Sequence, residues 1–75
     1  MNNKRRQKIR DVVSKMEGLT SDLEYIKDEE DESRANMPEN LESSEQYEKS
    51  EQISDTIEDA ITDIKDALNT ISDSI

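Results

Sequence analysis

The sequence predicts an all-α fold, an antiparallel two-helix hairpin of coiled-coil type, from two heptad-spaced apolar runs, a lone proline between them and a symmetry of position numbers. In the first run Ile9, Val12, Met16, Leu19, Leu23 and Ile26 alternate steps of three and four, the spacing of a coiled-coil seam. The second run, Ile53, Ile57, Ile61, Ile64, Leu68, Ile71 and Ile75, has the same spacing once past its first steps. Between them lie the acidic stretch Asp28 to Glu32 and the segment Asn36, Met37, Pro38, Glu39, Asn40. Proline disfavours helix in the residue before it and suits the first turn of the next helix, so the turn falls near residues 34–40. The first helix is then expected over about 3–32 and the second over about 39–74, in a single domain of residues 1–75. Ser43 with Gln46 has capping-box spacing and offers a later start for the second helix.

In an antiparallel hairpin, facing core residues have position numbers of constant sum. Ile9 with Ile71, Val12 with Leu68, Met16 with Ile64, Leu19 with Ile61 and Leu23 with Ile57 each add to 80, and Ile26 with Ile53 adds to 79. The mirror point is residue 40, beside the proline. Gly18, the only glycine, costs about 1 kcal/mol against alanine in a helix interior. Ser21 with Glu24 would allow a restart there, but a continuous helix is the expectation.

At 75 residues, with 29% hydrophobic and 40% charged, the chain has a thin core and only Tyr25 and Tyr47 as aromatics. Each helix offers one narrow stripe, and pairing them leaves Val13 and the seam edges partly wet. Homo-oligomerisation, as a dimer or higher, into a four-helix or larger bundle is therefore expected. The hairpin and oligomer core is assigned to Ile9, Val12, Val13, Met16, Leu19, Leu23, Ile26, Ile53, Ile57, Ile61, Ile64, Leu68 and Ile71. No apolar run exceeds two residues, as at Val12 and Val13, so no membrane span or signal-peptide core fits and a cytoplasmic protein is expected.

Without cysteine or histidine the chain has no disulfide, no thiol nucleophile and neither the commonest metal ligand nor the commonest general base. Its acids lie on exposed helix faces and lack EF-hand spacing, so no catalytic residue, metal or cofactor is expected, and the chain is read as a non-enzyme. Residues 1–10 hold Lys4, Arg5, Arg6, Lys8 and Arg10 and no acid, a charge of +5; residues 11–75 hold all 20 acids and the other five bases, a charge of −15. Five cations in the first turns of a helix oppose its dipole. One account is structural: the end of the second helix, with Asp73 and its negative dipole, lies alongside. The other is an anion site in which these cations bind the phosphates of a nucleotide. Duplex nucleic acid is not an expected ligand, because the remaining charge repels it.

Glu42, Glu45, Glu48, Glu51, Asp55 and Glu58 recur every three or four residues. They form a rod of carboxylates suited to a basic nucleic-acid channel on a host protein, or simply a solvated face that keeps the protein soluble.

Asp28-Glu29-Glu30, Asn36-Met37-Pro38-Glu39-Asn40-Leu41, Ser44-Glu45, the repeat around Glu58-Asp59-Ala60-Ile61 and the opening Lys4-Arg5-Arg6 resemble a group of short acidic coiled-coil proteins encoded by phages and prophages. The resemblance runs along most of the chain and implies a mobile-element origin, and so the host cytoplasm as the location, although no established function attaches to the group. Small acidic phage proteins often inhibit host defence, so the resemblance favours an anti-defence inhibitor acting by stoichiometric binding. Such a protein would be a nucleic-acid mimic blocking an immune protein or an oligomeric sponge for a nucleotide signal. A structural or assembly coiled coil, whose function is oligomerisation, is the alternative.

Overall fold

The computed structural model describes residues 1–41 and 44–75, Leu41 by its backbone alone. Helix α1, Asn3–Ala35, and helix α2, Glu45–Ser74, pack antiparallel as a hairpin 60 Å long and 15 × 13 Å across. A short 3₁₀ helix, Glu39–Leu41, lies in the connection. No described helix is long and apolar enough to cross a membrane.

Local chemistry sets the helix ends. The side chain of Asn2 accepts the Arg5 amide at 2.8 Å, satisfying one of the unpaired donors of the first turn of α1. At the other end the Asn36 amide donates to the Glu32 carbonyl and the Met37 amide to the Arg34 carbonyl, and Pro38 follows. The turn therefore falls where the proline places it, but α1 runs on to Ala35 and α2 starts later than residue 39. Ser44 caps α2 by accepting the Tyr47 amide at 3.2 Å. The expected cap at Ser43 lies outside the described residues. Helix α1 continues through Gly18, which has an ordinary negative φ.

The hairpin seam differs from the expected one in rotation and in register. On α1 the face turned to α2 follows the line Arg6, Val13, Thr20, Lys27, Arg34; on α2 it follows Tyr47, Ser54, Ile61, Leu68, Ile75. Both lines repeat every seven residues, as in a left-handed coiled coil. Along α1 this is one residue past the expected line Val12, Leu19, Ile26, a rotation of roughly 100°. Those three residues are 54%, 64% and 56% exposed, while Val13, Ile61 and Leu68 are the buried apolar core. Ile9, Ile57 and Ile64 are half-buried, whereas Met16, Leu23, Ile53 and Ile71 remain exposed. Cross-helix pairs also depart from the sum of 80: Arg34 with Ser50 gives 84, Arg10 with Ile75 gives 85, Arg34 with Ser54 gives 88 and Glu24 with Lys65 gives 89. Only Ser50 with Glu30 gives 80.

The physical reason is a polar cluster near the turn. Arg34 donates from Nη1 to the hydroxyls of Ser50 and Ser54, at 3.0 and 3.1 Å, and from Nη2 to Asp31 at 2.8 Å. Ser50 in turn donates to Glu30 at 2.8 Å. Small serines on α2 leave room for the guanidinium between the helices, and charge-assisted bonds of this kind are about twice as strong as neutral ones. Satisfying Arg34 there rotates its whole seven-residue line inward. Thr20, also buried, closes its hydroxyl on the Met16 carbonyl at 2.7 Å, so it fits the seam without an unmet donor.

Two substitutions test this packing by urea unfolding followed by helical circular dichroism. A Cβ added at Gly18 meets nothing within 4 Å, so Gly18→Ala raises stability by about 0.5–1 kcal/mol. Leu68, 3% exposed, is the most enclosed apolar residue, so Leu68→Ala lowers stability by about 2 kcal/mol or more.

Candidate functional site

The hairpin presents charged surfaces at two places, its basic head and the outer face of α2. Of the head, only Arg10 reaches the end of α2, donating from Nη2 to the Ile75 carbonyl oxygen at 3.1 Å. Arg6 donates to the Asn3 side chain, within its own helix. Among the described residues Lys4, Arg5 and Lys8 have no ion-pair partner. The structural account of the head therefore covers one cation of the five. Nor do the five share a face: at about 100° per residue Lys4 and Lys8 point one way and Arg6 and Arg10 another, with Arg5 between neither pair. A single phosphate group cannot be gripped by all of them within one protomer.

The charge of α2 is far more one-sided. It carries nine acids against Lys49 and Lys65, a net −7, whereas α1 carries nine acids against eight bases, a net −1. Exposed Glu45, Asp59, Asp63, Asp66 and Asp73 lie opposite the seam, and exposed Glu48 and Asp55, one residue after Tyr47 and Ser54, flank them about a quarter turn from it. Among the described residues only Lys49 pairs with this ridge, 3.4 Å from Glu45. The expected acidic rod is thus partly relocated. Glu45, Glu48 and Asp55 belong to the ridge, Glu51 and Glu58 wind off it, and Glu42 lies outside the described residues. Asp59, Asp63, Asp66 and Asp73, not in the expected set, continue the ridge to the end of the helix. Steps of four and three from Asp55 lead to Asp59, Asp63 and Asp66, with Asp73 a heptad further on, so the same spacing followed from Asp55 would have found them.

Glu58 instead lines a shallow cleft of about 250 Å³ with Glu24, Lys27, Asp28, Thr62 and Lys65. A neighbouring cleft of about 230 Å³ runs between Glu17, Ser21, Lys65 and Asn69. Both are open troughs on the polar side, with the Lys65 to Glu24 ion pair between them. Among the described residues no three acids converge in a way that would hold a metal ion.

The polar cluster shifts its own titrations. Hydrogen bonds from Lys27, at 2.8 Å, and from Ser54 and Arg34 hold the Asp31 carboxyl well below its ordinary 3.8. The bond to Asp31 pushes Lys27 and Arg34 upward. No protein-family model, curated protein or solved structure matches the chain.

The sign of the Asp31 contribution follows from its depressed value: the bonded carboxylate stabilises the hairpin above the unfolded value of 3.8, and that contribution fades as pH falls below it. Asp31→Asn should therefore lower the urea midpoint at neutral pH. The gap to the parent protein should narrow steadily below about pH 4. A gap that stayed constant down to about pH 2 would show that Asp31 acts through shape and not through charge.

Proposed function

We propose that this is a non-catalytic binding protein that occupies a basic groove on a partner protein with the acidic outer face of α2. The observation that carries the reading is the ridge from Glu45 to Asp73, seven carboxylates on one side of α2 with a single lysine paired to them among the described residues. The ridge is about 42 Å long, with one carboxylate roughly every 6 Å. A rigid row of negative charge of that length matches a groove shaped for a nucleic-acid strand, and basic walls would steer it in. On this reading the hairpin acts by stoichiometric occupation. The resemblance to phage-encoded coiled coils adds a setting: an anti-defence inhibitor that blocks a host immune protein.

A second version is favoured by Lys4, Arg5 and Lys8, which have no acidic partner among the described residues: an oligomer whose heads sequester a nucleotide. A third makes oligomerisation the whole function, with the protein serving in assembly.

One comparison separates the three. Tagged protein is used to capture partners from a bacterial lysate, and the captured proteins are challenged with single-stranded and duplex DNA. On the groove-blocking reading DNA competes, and neutralising Glu48, Asp55, Asp59 and Asp66 together to their amides weakens capture by at least about tenfold. The double variant Arg5→Gln, Arg6→Gln retains it. Capture that ignores the four amides overturns this reading. Titration calorimetry with nucleotides that depends on Arg5 and Arg6 would install the sponge, and activity that tracks oligomer mass alone would install the assembly role.

A further inference from the structure

The rotation of the seam leaves one broad apolar surface uncovered. On α1 the exposed line Val12, Leu19, Ile26 lies one residue before the buried line Val13, Thr20, Lys27; on α2 the line Ile53, Ala60, Ala67 lies one residue before Ser54, Ile61, Leu68. One residue back is the same rotation about each helix's own axis. The helices run in opposite directions and face each other, so these two rotations bring both lines to the same side of the hairpin. The polar clefts occupy the other side. Between the two exposed lines lie the half-covered rows through Met16 and Leu23 and through Ile57, Ile64 and Ile71, which make the surface continuous.

We propose that a second copy of this chain covers the α1 side of this surface and the C-terminal half of its α2 side, lying head to turn so that α1 packs on α1 of its partner in a staggered four-helix bundle. The free area suits a dimer. The hairpin exposes 5941 Å², whereas a compact protein of 8.7 kDa exposes about 4,700 Å². The excess of about 1,200 Å² exceeds the roughly 800 Å² per partner of a standard interface.

Charge selects the occupant and its direction. The exposed line of α1 begins at Arg5, seven residues before Val12, and the row through Met16 and Leu23 ends at Glu30, seven residues after Leu23. In an antiparallel pair of α1 helices centred between residues 17 and 18, Arg5 meets Glu30, Ile9 meets Ile26, Val12 meets Leu23 and Met16 meets Leu19. Sliding by one heptad either way puts Arg5 on Leu23 or Val12 on Glu30. Only the first register pairs apolar with apolar throughout and opposite charges at both ends. It also lays the basic head of one copy beside the acids Asp28 to Glu32 of the other, whereas a head-to-head pair would stack both heads of +5 together. Unpaired Arg5 thereby gains a partner.

Cross-helix partners add to about 85, so residues 17 and 18 of α1 are level with about residue 68 of α2, and in this arrangement the two α2 helices lie side by side only over roughly residues 61–75, with their ridges facing outward on one flank. The two ridges overlap near their C-terminal ends and together make one longer acidic face, which suits a basic groove. That last step rests on the groove-blocking reading; the dimer itself does not.

The test separates the two. Sedimentation equilibrium of the full chain should give the mass of a dimer, and a monomer at about 100 µM would overturn the proposal and leave the surface for a foreign protein. Because the chain has no cysteine, Arg5→Cys and Glu30→Cys report direction. Mixed together they should form a crossed disulfide, while Arg5→Cys alone should not self-link; efficient self-linking overturns the head-to-turn order. Arg5→Glu or Glu30→Arg alone should weaken association on the order of tenfold at low salt, and the two swaps combined should restore it. Swaps that fail to compensate while helicity is retained overturn the pairing. Capture of partners from lysate plays no part in these outcomes.

Discussion

The rotation of α1 about its own axis is set where Arg34 meets α2, and which faces of the hairpin are buried and which exposed follows from that rotation. A guanidinium must keep its donors paired when a neighbouring helix takes water away from it. Here Asp31, Ser50 and Ser54 do so together. Once Arg34 points inward, Lys27, Thr20, Val13 and Arg6 follow at seven-residue intervals, because a supercoiled helix returns to the same face each heptad. The apolar seam, one residue earlier, is carried out of the interface. An apolar pair gains nearly as much in one neighbouring orientation as in the next, since burial is non-directional, whereas the Arg34 bonds are directional. The few directional contacts therefore decide the rotation, although burial drives the pairing.

This explains what could and could not be read from the sequence. The helix count, the turn at Pro38, the passage through Gly18 and the heptad period were legible, because each depends on local backbone chemistry or on spacing. The facing partners were not. Two heptad repeats running antiparallel always yield a family of constant sums, so the sum of 80 tested the period and not the register. Fixing the register required knowing that Ser50 and Ser54 would admit Arg34, a three-body match that no spacing rule contains. Likewise Thr20 gave no sign of being buried, since its hydroxyl is satisfied by its own helix through the Met16 carbonyl.

The segregation of charge follows the same division. With α1 nearly neutral and α2 strongly negative, the acids of the outer ridge repel one another along α2, which the ends of the helix only partly offset through Glu45 and Glu48 near its positive pole. Three hydroxyls on that helix, Thr62, Thr70 and Ser74, fold back onto carbonyls four residues earlier. Ala60, Ala67 and the isoleucines must hold the helix together against that repulsion, and the apolar surface they share with α1 is therefore wider than a two-helix seam can use.

The exposed apolar surface and the acidic ridge lie on different sides of α2, roughly a quarter turn apart. The proposed self-association and the proposed engagement of a basic partner would therefore draw on separate residues and not compete for area. It also assigns separate work to the two helices. Helix α1, through Arg5, Glu30 and the rows between them, is suited to recognising its own copy, and α2 to carrying an unbroken face of charge. A hairpin with α1 rotated back to the expected seam would bury Val12, Leu19 and Ile26 internally, expose Arg34 and lose that division. The polar cluster near the turn thus costs the hairpin part of its internal core and in return leaves both outer surfaces intact.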